Sequence, residues 1–219
     1  MSRYDAVVFD NDGVLVELTD TVVLRDAARE AFVDVGVGDP DPTFLDHAVN
    51  GTLDGLDAIE DEYGVAVSEY WSAREHRAIE HQRADIRDGG KPLFDDVAAL
   101  RELPHRMGVA SNNQHETVSF IVEHYGLSDV FETVYGREPT VAGAARRKPD
   151  PHYVDVALAD LSAKNALYVG DSPKDVVAAE RAGADSAYIR RPHRSEVEPE
   201  IEPTYRVASL RELVDVLSG

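Results

Sequence analysis

Two aspartates, Asp10 and Asp12, follow directly after the apolar run Val7-Val8-Phe9. A continuous run of β-favouring apolar residues is typical of a strand buried in a parallel sheet. Two carboxylates this close repel each other unless a cation lies between them, which suits a divalent metal with oxygen ligands. Gly13 lets the backbone approach a ligand closely. Asn-Asp-Gly is also ordinary turn chemistry, so this segment alone leaves a structural turn open.

Three later segments carry polar groups that could meet these aspartates. A second short apolar strand ends at Ser111 and Asn112, and Lys148 precedes the start of a helix. A third apolar strand leads into Asp171 and Asp175. Ligands of open α/β sheets bind at the carboxyl ends of the strands, so these groups should meet there. Acids, a lysine and small hydrogen-bonding side chains together describe a site for a metal ion and a phosphate.

In this order, the segments resemble the four motifs of the haloacid dehalogenase (HAD) superfamily, on its phosphatase branch with a helical cap. Residues Asp10 to Val14 match Asp-x-Asp-Gly-(Thr/Val), although Asn11 stands where relatives often have an apolar residue. Ser111 matches the second motif and Lys148 the third. Gly170 to Asp175 match Gly-Asp-Ser-x-x-Asp with the same spacing. The resemblance spans essentially the whole chain, but the cap only by position and helical character.

The resemblance implies a role for each acid. Asp10 would be the nucleophile that forms an aspartyl phosphate, and Asp12 the general acid–base. Lys148 would neutralise the nucleophile and the transferring phosphoryl group. Asp171 would bind the metal directly, and Asp175 either directly or through another ligand. The expected metal ligands are thus Asp10, Asp12 through its backbone carbonyl, Asp171 and Asp175.

Substrate binding is expected on two loops of the same site. Ser111, Asn112 and the backbone of the loop that contains Asn11 and Gly13 would hold the phosphate oxygens. Oxygen ligands beside a bound phosphate favour Mg²⁺ as the cofactor. The cap loop 49–55 carries no positive charge. A small phosphorylated metabolite with one phosphate, such as phosphoglycolate, is therefore the expected substrate.

Other activities found in this family depend on particular residues. Dehalogenases do not use a second acid in this way, so Asp12 argues against that reaction. Phosphonate hydrolysis needs a cap lysine, and no lysine precedes Lys91. A sugar-phosphate mutase would be helped by a cap cation; the absence of Lys and Arg between Arg29 and Arg74 disfavours this alternative without excluding it. A non-catalytic phosphate-binding regulatory protein is the second alternative.

Each motif also has a purely structural interpretation. Asp175 could lie in the first turn of a helix, where the dipole favours acids. Ser111 and Asn112 could cap the next helix, and Lys148 could belong to a solvated basic patch. The histidines show no spacing that converges with the acids and are interpreted as surface or satisfied positions: His47, His76, His81, His105, His115, His124, His152 and His193.

The excess of acidic residues limits the kinds of binding partner that we expect. Among 219 residues there are 42 acids and 22 bases, a net charge of -20. Such a surface repels nucleic acids and anionic lipids, so neither nucleic acid nor a membrane is an expected partner. The acids are dispersed and the lysines few (Lys91, Lys148, Lys164 and Lys174), which favours a salt-adapted, halophilic protein over an ordinary acidic one. A monomer or homodimer is expected.

Location is inferred from what the sequence lacks. It has no apolar run long enough for a transmembrane helix and no pattern typical of a signal peptide. It also has no cysteine, which excludes disulfides, thiolate metal sites and a cysteine nucleophile. A cytoplasmic location is the resulting expectation.

Helical and strand patterns alternate after residue 93, which predicts an α/β fold with a doubly wound parallel sheet. Residues 1–15 and 89–219 would form the HAD-like catalytic core, and 16–88 an inserted α-helical cap. The predicted strands are 4–9, 106–110, 131–135, 166–170, 186–190 and a short one at 205–207. The predicted core helices are 94–103, 114–125, 151–160, 173–182 and one at the end of the chain.

Overall fold

The computed structural model describes residues 3–219. Within that range, six parallel strands form one sheet in the order β3-β2-β1-β4-β5-β6. The predicted α/β class with a parallel sheet is confirmed. The strands are β1 (Ala6–Phe9), β2 (Arg106–Gln114), β3 (Thr133–Arg137), β4 (Ala166–Gly170), β5 (Asp185–Ile189) and β6 (Tyr205–Val207).

The helices of the described residues lie in one long insertion after β1, between the later strands and, for the last one, after β6. Those of the insertion are α1 (Thr21–Asp34), α2 (Pro42–Asn50), α3 (Leu56–Tyr63) and α4 (Val67–Arg87). The remaining ones are α5 (His115–His124), α6 (Val141–Ala145), α7 (His152–Asp160), α8 (Pro173–Arg181) and α9 (Leu210–Ser218).

Strand β1 is an inner strand of the sheet, between β2 and β4, and its side chains are buried on both faces. Val7 and Phe9 belong to one apolar cluster, and Ala6 and Val8 belong to another on the opposite face. Alternating direction along a strand produces this division. Phe9 is in register with Val109 of β2 and Val169 of β4. Asp10, Ala110 and Gly170, which follow these three positions, therefore lie level near one edge of the sheet.

Contacts divide the chain into two compact units. The first combines the chain up to Leu18 with Pro92–Arg137 and Arg146–Gly219 and contains the sheet. The second combines Thr19–Lys91 with Glu138–Ala145 and contains α1 to α4 and α6. The predicted domain boundaries remain a prediction; the contacts place the division three residues later at both ends of the insertion and add a segment after β3.

The helical unit has its own apolar core. Phe32 of α1 packs against Tyr70 of α4 with ring centroids 4.9 Å apart, and Trp71 is buried in the same cluster. On the outside of α4, Arg77 makes two hydrogen bonds to the carboxylate of Asp34, at 2.6 and 2.8 Å. This packing explains why the apolar residues of the insertion recur at helical spacing.

Some predicted elements differ from the structure. The segment predicted as a helix over 94–103 is a 3-10 helix at Asp95–Glu102, a tighter form common in short connectors, and Pro104 prevents its continuation. Strand β2 continues four residues past the predicted end, with a register shift against β3 between Ala110 and Gln114. Helix α6 was not predicted, because five residues show too little periodicity.

Candidate active site

Asp10 stands immediately after β1, where its backbone still belongs to the sheet. Its N–H donates to the carbonyl of Val169 at 2.8 Å, and its carboxylate Oδ1 accepts the backbone N–H of Asn11 at 2.8 Å. Lys148 Nζ lies 2.9 Å from the same Oδ1. Only 8% of Asp10 is exposed. A buried carboxylate is thus held in one orientation by the strand end and a cation.

The loop after Asp10 is a compact turn. The carbonyl of Asn11 accepts the N–H of Leu15 at 2.9 Å, and Gly13 N–H donates to the carbonyl of Val16 at 2.8 Å. Gly13 has φ +81°, and a Cβ there would lie 2.4 Å from Oδ2 of Asp171. The structural turn and the close approach to a second acid are therefore both present in this loop.

Asp171 follows β4 and is 2% exposed. Its Oδ2 contacts two basic side chains, Nε2 of His193 at 2.6 Å and Nε of Arg194 at 2.7 Å. Both belong to a 3-10 turn, Pro192–Arg194, just beyond β5. His193 is exposed, as the sequence suggested, but its contact with an acid of the site was not predicted. The sheet order creates that contact, because it brings the end of β5 beside the end of β4.

Arg191 fixes the position of this turn. It is 7% exposed, and its guanidinium makes paired hydrogen bonds of 2.9 and 2.8 Å to the carboxylate of Asp96. It also donates to the carbonyl of Val14 at 3.0 Å, and it stacks over the ring of Phe94 at 3.9 Å. The loop after β1 and the turn after β5 are therefore tied together by one buried arginine.

Asp175 has two tasks, one for each carboxylate oxygen. Oδ2 accepts the N–H of Ser172 at 2.9 Å and completes a capping box at the start of α8. Oδ1 lies 2.8 Å from Lys148 Nζ. A Cβ on Gly170 would lie 2.2 Å from that of Asp175, so glycine permits this close packing. The helix-start interpretation and the site interpretation of Asp175 are thus compatible.

Lys148 is buried and belongs to a polar network rather than to a solvated basic patch. Besides the two acids, its ammonium donates to the hydroxyl of Tyr168 at 2.6 Å. Asn112 positions its backbone: Oδ1 accepts the N–H of Lys148 at 2.7 Å, and Nδ2 donates to its carbonyl at 3.2 Å. The side chain of Asn112 is therefore engaged with Lys148, and its predicted contact with phosphate stays a prediction.

Ser111 and Asp12 lie at the same edge. Ser111 is 1% exposed, and its Oγ accepts the N–H of Asn113 at 3.2 Å. Asp12 is half-buried, and its carboxylate accepts a hydrogen bond from Nδ2 of Asn113 at 3.1 Å. Asn113 was not singled out from the sequence, although it follows two predicted site residues directly.

The electrostatics of the site are those of crowded, desolvated carboxylates. Burial raises the pKa of the Asp10 carboxyl to about 7, although attraction by Lys148 opposes the shift. Burial also raises the pKa of Asp171 and of Asp175, and neighbouring acids add to both shifts. Burial alone would lower the pKa of Lys148, but attraction by Asp10 and Asp175 raises it well above its ordinary value. Lys148 therefore stays charged.

Three of the predicted metal ligands come together. One carboxylate oxygen from each of Asp10, Asp171 and Asp175 lies within 4.8 Å of the other two, and we call this group the acidic triplet. All three are buried, and their repulsion would be relieved by a divalent cation. An oxygen-only donor set fits a hard cation such as Mg²⁺. The side chain of Asp12 is not part of the triplet, and its contribution through the backbone carbonyl stays a prediction.

A cavity of about 210 Å³ opens at this edge of the sheet. Its walls include Asp10, Asp12, Ser111, Lys148, Lys174 and Arg194. A larger cleft of about 660 Å³ lies at the amino ends of the strands, lined by Arg3, Tyr4 and Tyr205 among others. Acids with raised pKa values and a buried lysine surround the smaller cavity, so that one is the candidate active site.

In residues 3–219, no helix has the length and apolar character needed to cross a membrane.

The sheet topology and the position of the acids define the class of protein. The haloacid dehalogenase-like hydrolase family model matches residues 7–189. The chain therefore belongs to the haloacid dehalogenase-like hydrolases and is an enzyme, as its four motifs indicated.

Individual relatives narrow the comparison. A phosphoglycolate phosphatase of Rhodospirillum rubrum is 33% identical over 193 residues, which cover 81% of this chain and 76% of that protein. Pyrophosphatase PpaX of Bacillus velezensis is 21% identical over 220 residues, covering 98% of this chain and 96% of its own. The crystal structure of CbbY from Rhodobacter sphaeroides in complex with phosphate aligns with a TM-score of 0.70 and 21% identity, covering 99% of this chain and 100% of that one. This structural likeness supports the fold.

Proposed function

We propose that this protein is a Mg²⁺-dependent phosphatase that hydrolyses a small phosphomonoester through an aspartyl phosphate on Asp10. The observation that carries the proposal is the position of Asp10 at the end of β1, where Lys148 contacts its Oδ1 and two further acids complete the acidic triplet. A carboxylate is an adequate nucleophile when fixed donors hold the phosphate in line with it.

In the first step, a carboxylate oxygen of Asp10 attacks phosphorus, and the bond from phosphorus to the ester oxygen breaks. Asp12 gives its proton to the departing alkoxide, so the alcohol leaves neutral. In the second step, Asp12 takes a proton from a water molecule whose oxygen attacks the same phosphorus. The acyl phosphate bond breaks, inorganic phosphate is released and Asp10 is restored. The half-buried position of Asp12 beside Asn113 suits a group that exchanges protons with substrate and water.

The acidic triplet and the backbone carbonyl of Asp12 would hold Mg²⁺. When bound, the ion offsets the charge of the phosphoryl group and of the carboxylates around it. Lys148 contributes the second fixed positive charge beside Asp10. Ser111 and the backbone of the loop around Asn11 and Gly13 would bind phosphate oxygens. In this structure the N–H groups of Asn11 and Gly13 donate to Asp10 Oδ1 and to the carbonyl of Val16. The side chain of Asn112 would act mainly by positioning Lys148.

The proposed substrate class is that of small monophosphates, with phosphoglycolate as the first candidate. Two features support it: the size of the cavity, about 210 Å³, and the names of the relatives, among them a phosphoglycolate phosphatase. Pyrophosphate is the second candidate, because another relative is named a pyrophosphatase. Both are small, and both carry a phosphoryl group on a good or adequate leaving group.

The decisive experiment measures phosphate release from phosphoglycolate, pyrophosphate and a chromogenic phosphate ester with Mg²⁺ present. We expect turnover of at least one of them by the parent protein and none by Asp10→Asn. Trapping by acid quench should recover label from a ³²P-substrate on the parent chain and not on the variant. Turnover by Asp10→Asn near the parent rate would refute the mechanism.

A further inference from the structure

Two cations of the cavity are not used by the proposed mechanism. Lys174 and Arg194 both line it, and neither contacts Asp10. They belong to different segments, the first turn of α8 and the 3-10 turn after β5. Two positive side chains in one cavity of a chain with net charge -20 indicate that the cavity binds an anionic group.

Arg194 has donors to spare. Its Nε bonds to Asp171 Oδ2 at 2.7 Å, which fixes the plane of the guanidinium. Within residues 3–219, its two terminal nitrogens make no hydrogen bond, and 36% of the side chain is exposed. Planar paired donors in this state match a carboxylate or phosphate.

Lys174 is likewise uncommitted. Its backbone N–H donates to Ser172 Oγ at 3.2 Å in the cap of α8, which holds the residue at the cavity. Its ammonium has no hydrogen bond or ion pair in the described part of the chain. Its charge is therefore available to an anionic ligand in the cavity.

The sheet order offsets these cations from Asp10, the residue that would take the phosphoryl group. Asp10 follows β1, and Lys148 contacts it together with Asn112 of β2 and Asp175 of α8. Lys174 and Arg194 follow β4 and β5, on the other side of β1 in the order β2-β1-β4-β5. Neighbouring strands are about 4.8 Å apart, so Lys174 is offset from Asp10 by roughly one strand spacing and Arg194 by roughly two. This offset is comparable to the length of a small phosphorylated molecule.

We propose that Lys174 and Arg194 form a second anion site, which binds a second anionic group of the substrate while its phosphoryl group faces Asp10. This inference rests on the proposed function and specifies the substrate class: a small monophosphate that carries a carboxylate or a second phosphate. Charge-assisted hydrogen bonds from both cations discriminate in favour of such a substrate over a neutral ester of the same size.

The test compares binding of two nearly isosteric ligands, 2-phosphoglycolate and ethyl phosphate, which differ in the carboxylate. Binding is measured by calorimetry with Mg²⁺ at fixed ionic strength, in the Asp10→Asn background so that no turnover is needed. We expect phosphoglycolate to bind at least tenfold tighter than ethyl phosphate. In Lys174→Gln this ratio should fall at least fivefold, and Lys174→Arg should restore most of it.

Lys164→Gln is the matched control, because it removes the same charge from an exposed lysine before β4, at the opposite end of that strand. Its ratio should equal that of the parent. Arg194→Gln should lower the ratio as Lys174→Gln does, and circular dichroism should show that each variant is folded. Pyrophosphate is the third ligand; a larger loss for pyrophosphate than for phosphoglycolate identifies a phosphate as the second anion, and the reverse identifies a carboxylate.

The second anion site is refuted if the parent binds both ligands equally or neither, or if Lys174→Gln and Lys164→Gln give the same ratio. Because binding is measured without turnover, failure of the second anion site can be distinguished from failure of the proposed phosphatase activity. A chain that shows the ratio but hydrolyses nothing would keep the anion site and lose the mechanism. A chain that hydrolyses both esters but binds them equally would keep the mechanism and lose the second anion site.

Discussion

The hydroxyl oxygen of Tyr168 lies 2.6 Å from Nζ of Lys148, in the interior of the sheet. Tyr168 is completely buried, and burial raises its pKa well above the ordinary value, so its O–H proton is retained. The hydroxyl donates a hydrogen bond to the carbonyl of Ala110 at 2.7 Å. The tyrosine therefore accepts from Lys148, whose other short contacts are Asp10 and Asp175. The ammonium thus has three short contacts, and a fourth acceptor, the carbonyl of Ala110, lies farther away at 3.3 Å.

From this arrangement we expect Tyr168→Phe to lower kcat about 5- to 30-fold and to leave KM within twofold. Losing one hydrogen bond to a charged group corresponds to about 1–2 kcal/mol, and the ammonium would turn away from Asp10 toward the carbonyl of Ala110. Steady-state kinetics with a phosphate ester measures both constants. Tyr188→Phe serves as a control, since that buried hydroxyl bonds to the carbonyl of Val197 instead. An equal loss of kcat in both variants would contradict a specific role for Tyr168.

Asp10→Asn should abolish turnover and yet raise the thermal midpoint of the metal-free protein at pH 8. The unfolded chain releases the Asp10 proton near pH 4, whereas burial raises the folded pKa to about 7. Between these values the folded state binds the extra proton, so stability falls as pH rises through that window and stays lower above it. Asparagine removes this loss. The gain is bounded by about 4 kcal/mol and is reduced by the lost contact with Lys148.

The pH dependence of the thermal midpoint distinguishes stabilisation through the raised pKa of Asp10 from a general effect of removing one acidic charge. Thermal unfolding in chelator at pH 5 and pH 8 should show a larger gain for Asp10→Asn at pH 8. Asp61→Asn, which removes one exposed charge from α3, should shift the midpoint little and equally at both values. If the gain of Asp10→Asn were the same at pH 5 and pH 8, its raised pKa would not be the cause.

Chelation should remove activity, and Mg²⁺ should restore it. Asp171→Asn should raise the Mg²⁺ concentration for half-maximal activity at least tenfold, because it removes one charge of the acidic triplet. Ca²⁺ should bind and support turnover poorly, since its looser coordination misplaces the phosphoryl group. Calorimetric titration of each ion measures binding apart from catalysis. Full activity after exhaustive chelation would show that the acidic triplet is not a metal site.

Gly13→Ala should destabilise the protein more than Gly89→Ala. Both glycines have nearly the same positive φ, +81° and +82°, so both variants carry the same backbone strain. A Cβ at Gly13 would lie 2.4 Å from Asp171 Oδ2, whereas nothing lies within 4 Å at Gly89. Denaturant unfolding of the two variants isolates the steric part, and we expect a difference of at least about 1 kcal/mol. Equal losses would mean that the loop moves away from Asp171 without penalty.

The thermal midpoint should rise between dilute buffer and molar KCl. The net charge of -20 repels itself in dilute buffer. The Debye length falls from about 10 Å at 0.1 M to about 3 Å at 1 M, so added salt relieves much of that repulsion. The acidic triplet is short-range and buried, so it is screened less than the surface. A midpoint that stays flat or falls with KCl would show that the acidic surface is not an adaptation to salt.

Strand ends and motif order were enough to predict which acids and which lysine share an edge. Asp10 and Asp171 each follow an apolar run, and parallel strands place such positions side by side. The α/β class and the membership of the HAD family were predicted for the same reason and are confirmed. The roles assigned to Ser111 and Asp175 stay predictions, although the structure places both residues at the site.

The contacts that orient these groups came only from the tertiary structure. Tyr168 and Arg194 were not singled out from the sequence, and His193 was interpreted as a surface or satisfied position. Each meets its partner only because the sheet order puts β5 beside β4, and β4 beside β1. The sequence by itself therefore determined the chemistry present at the sheet edge, since residue type and strand periodicity are local properties. Which cation binds which carboxylate depends on strand order and register between residues distant in the chain, and only the folded structure decides that.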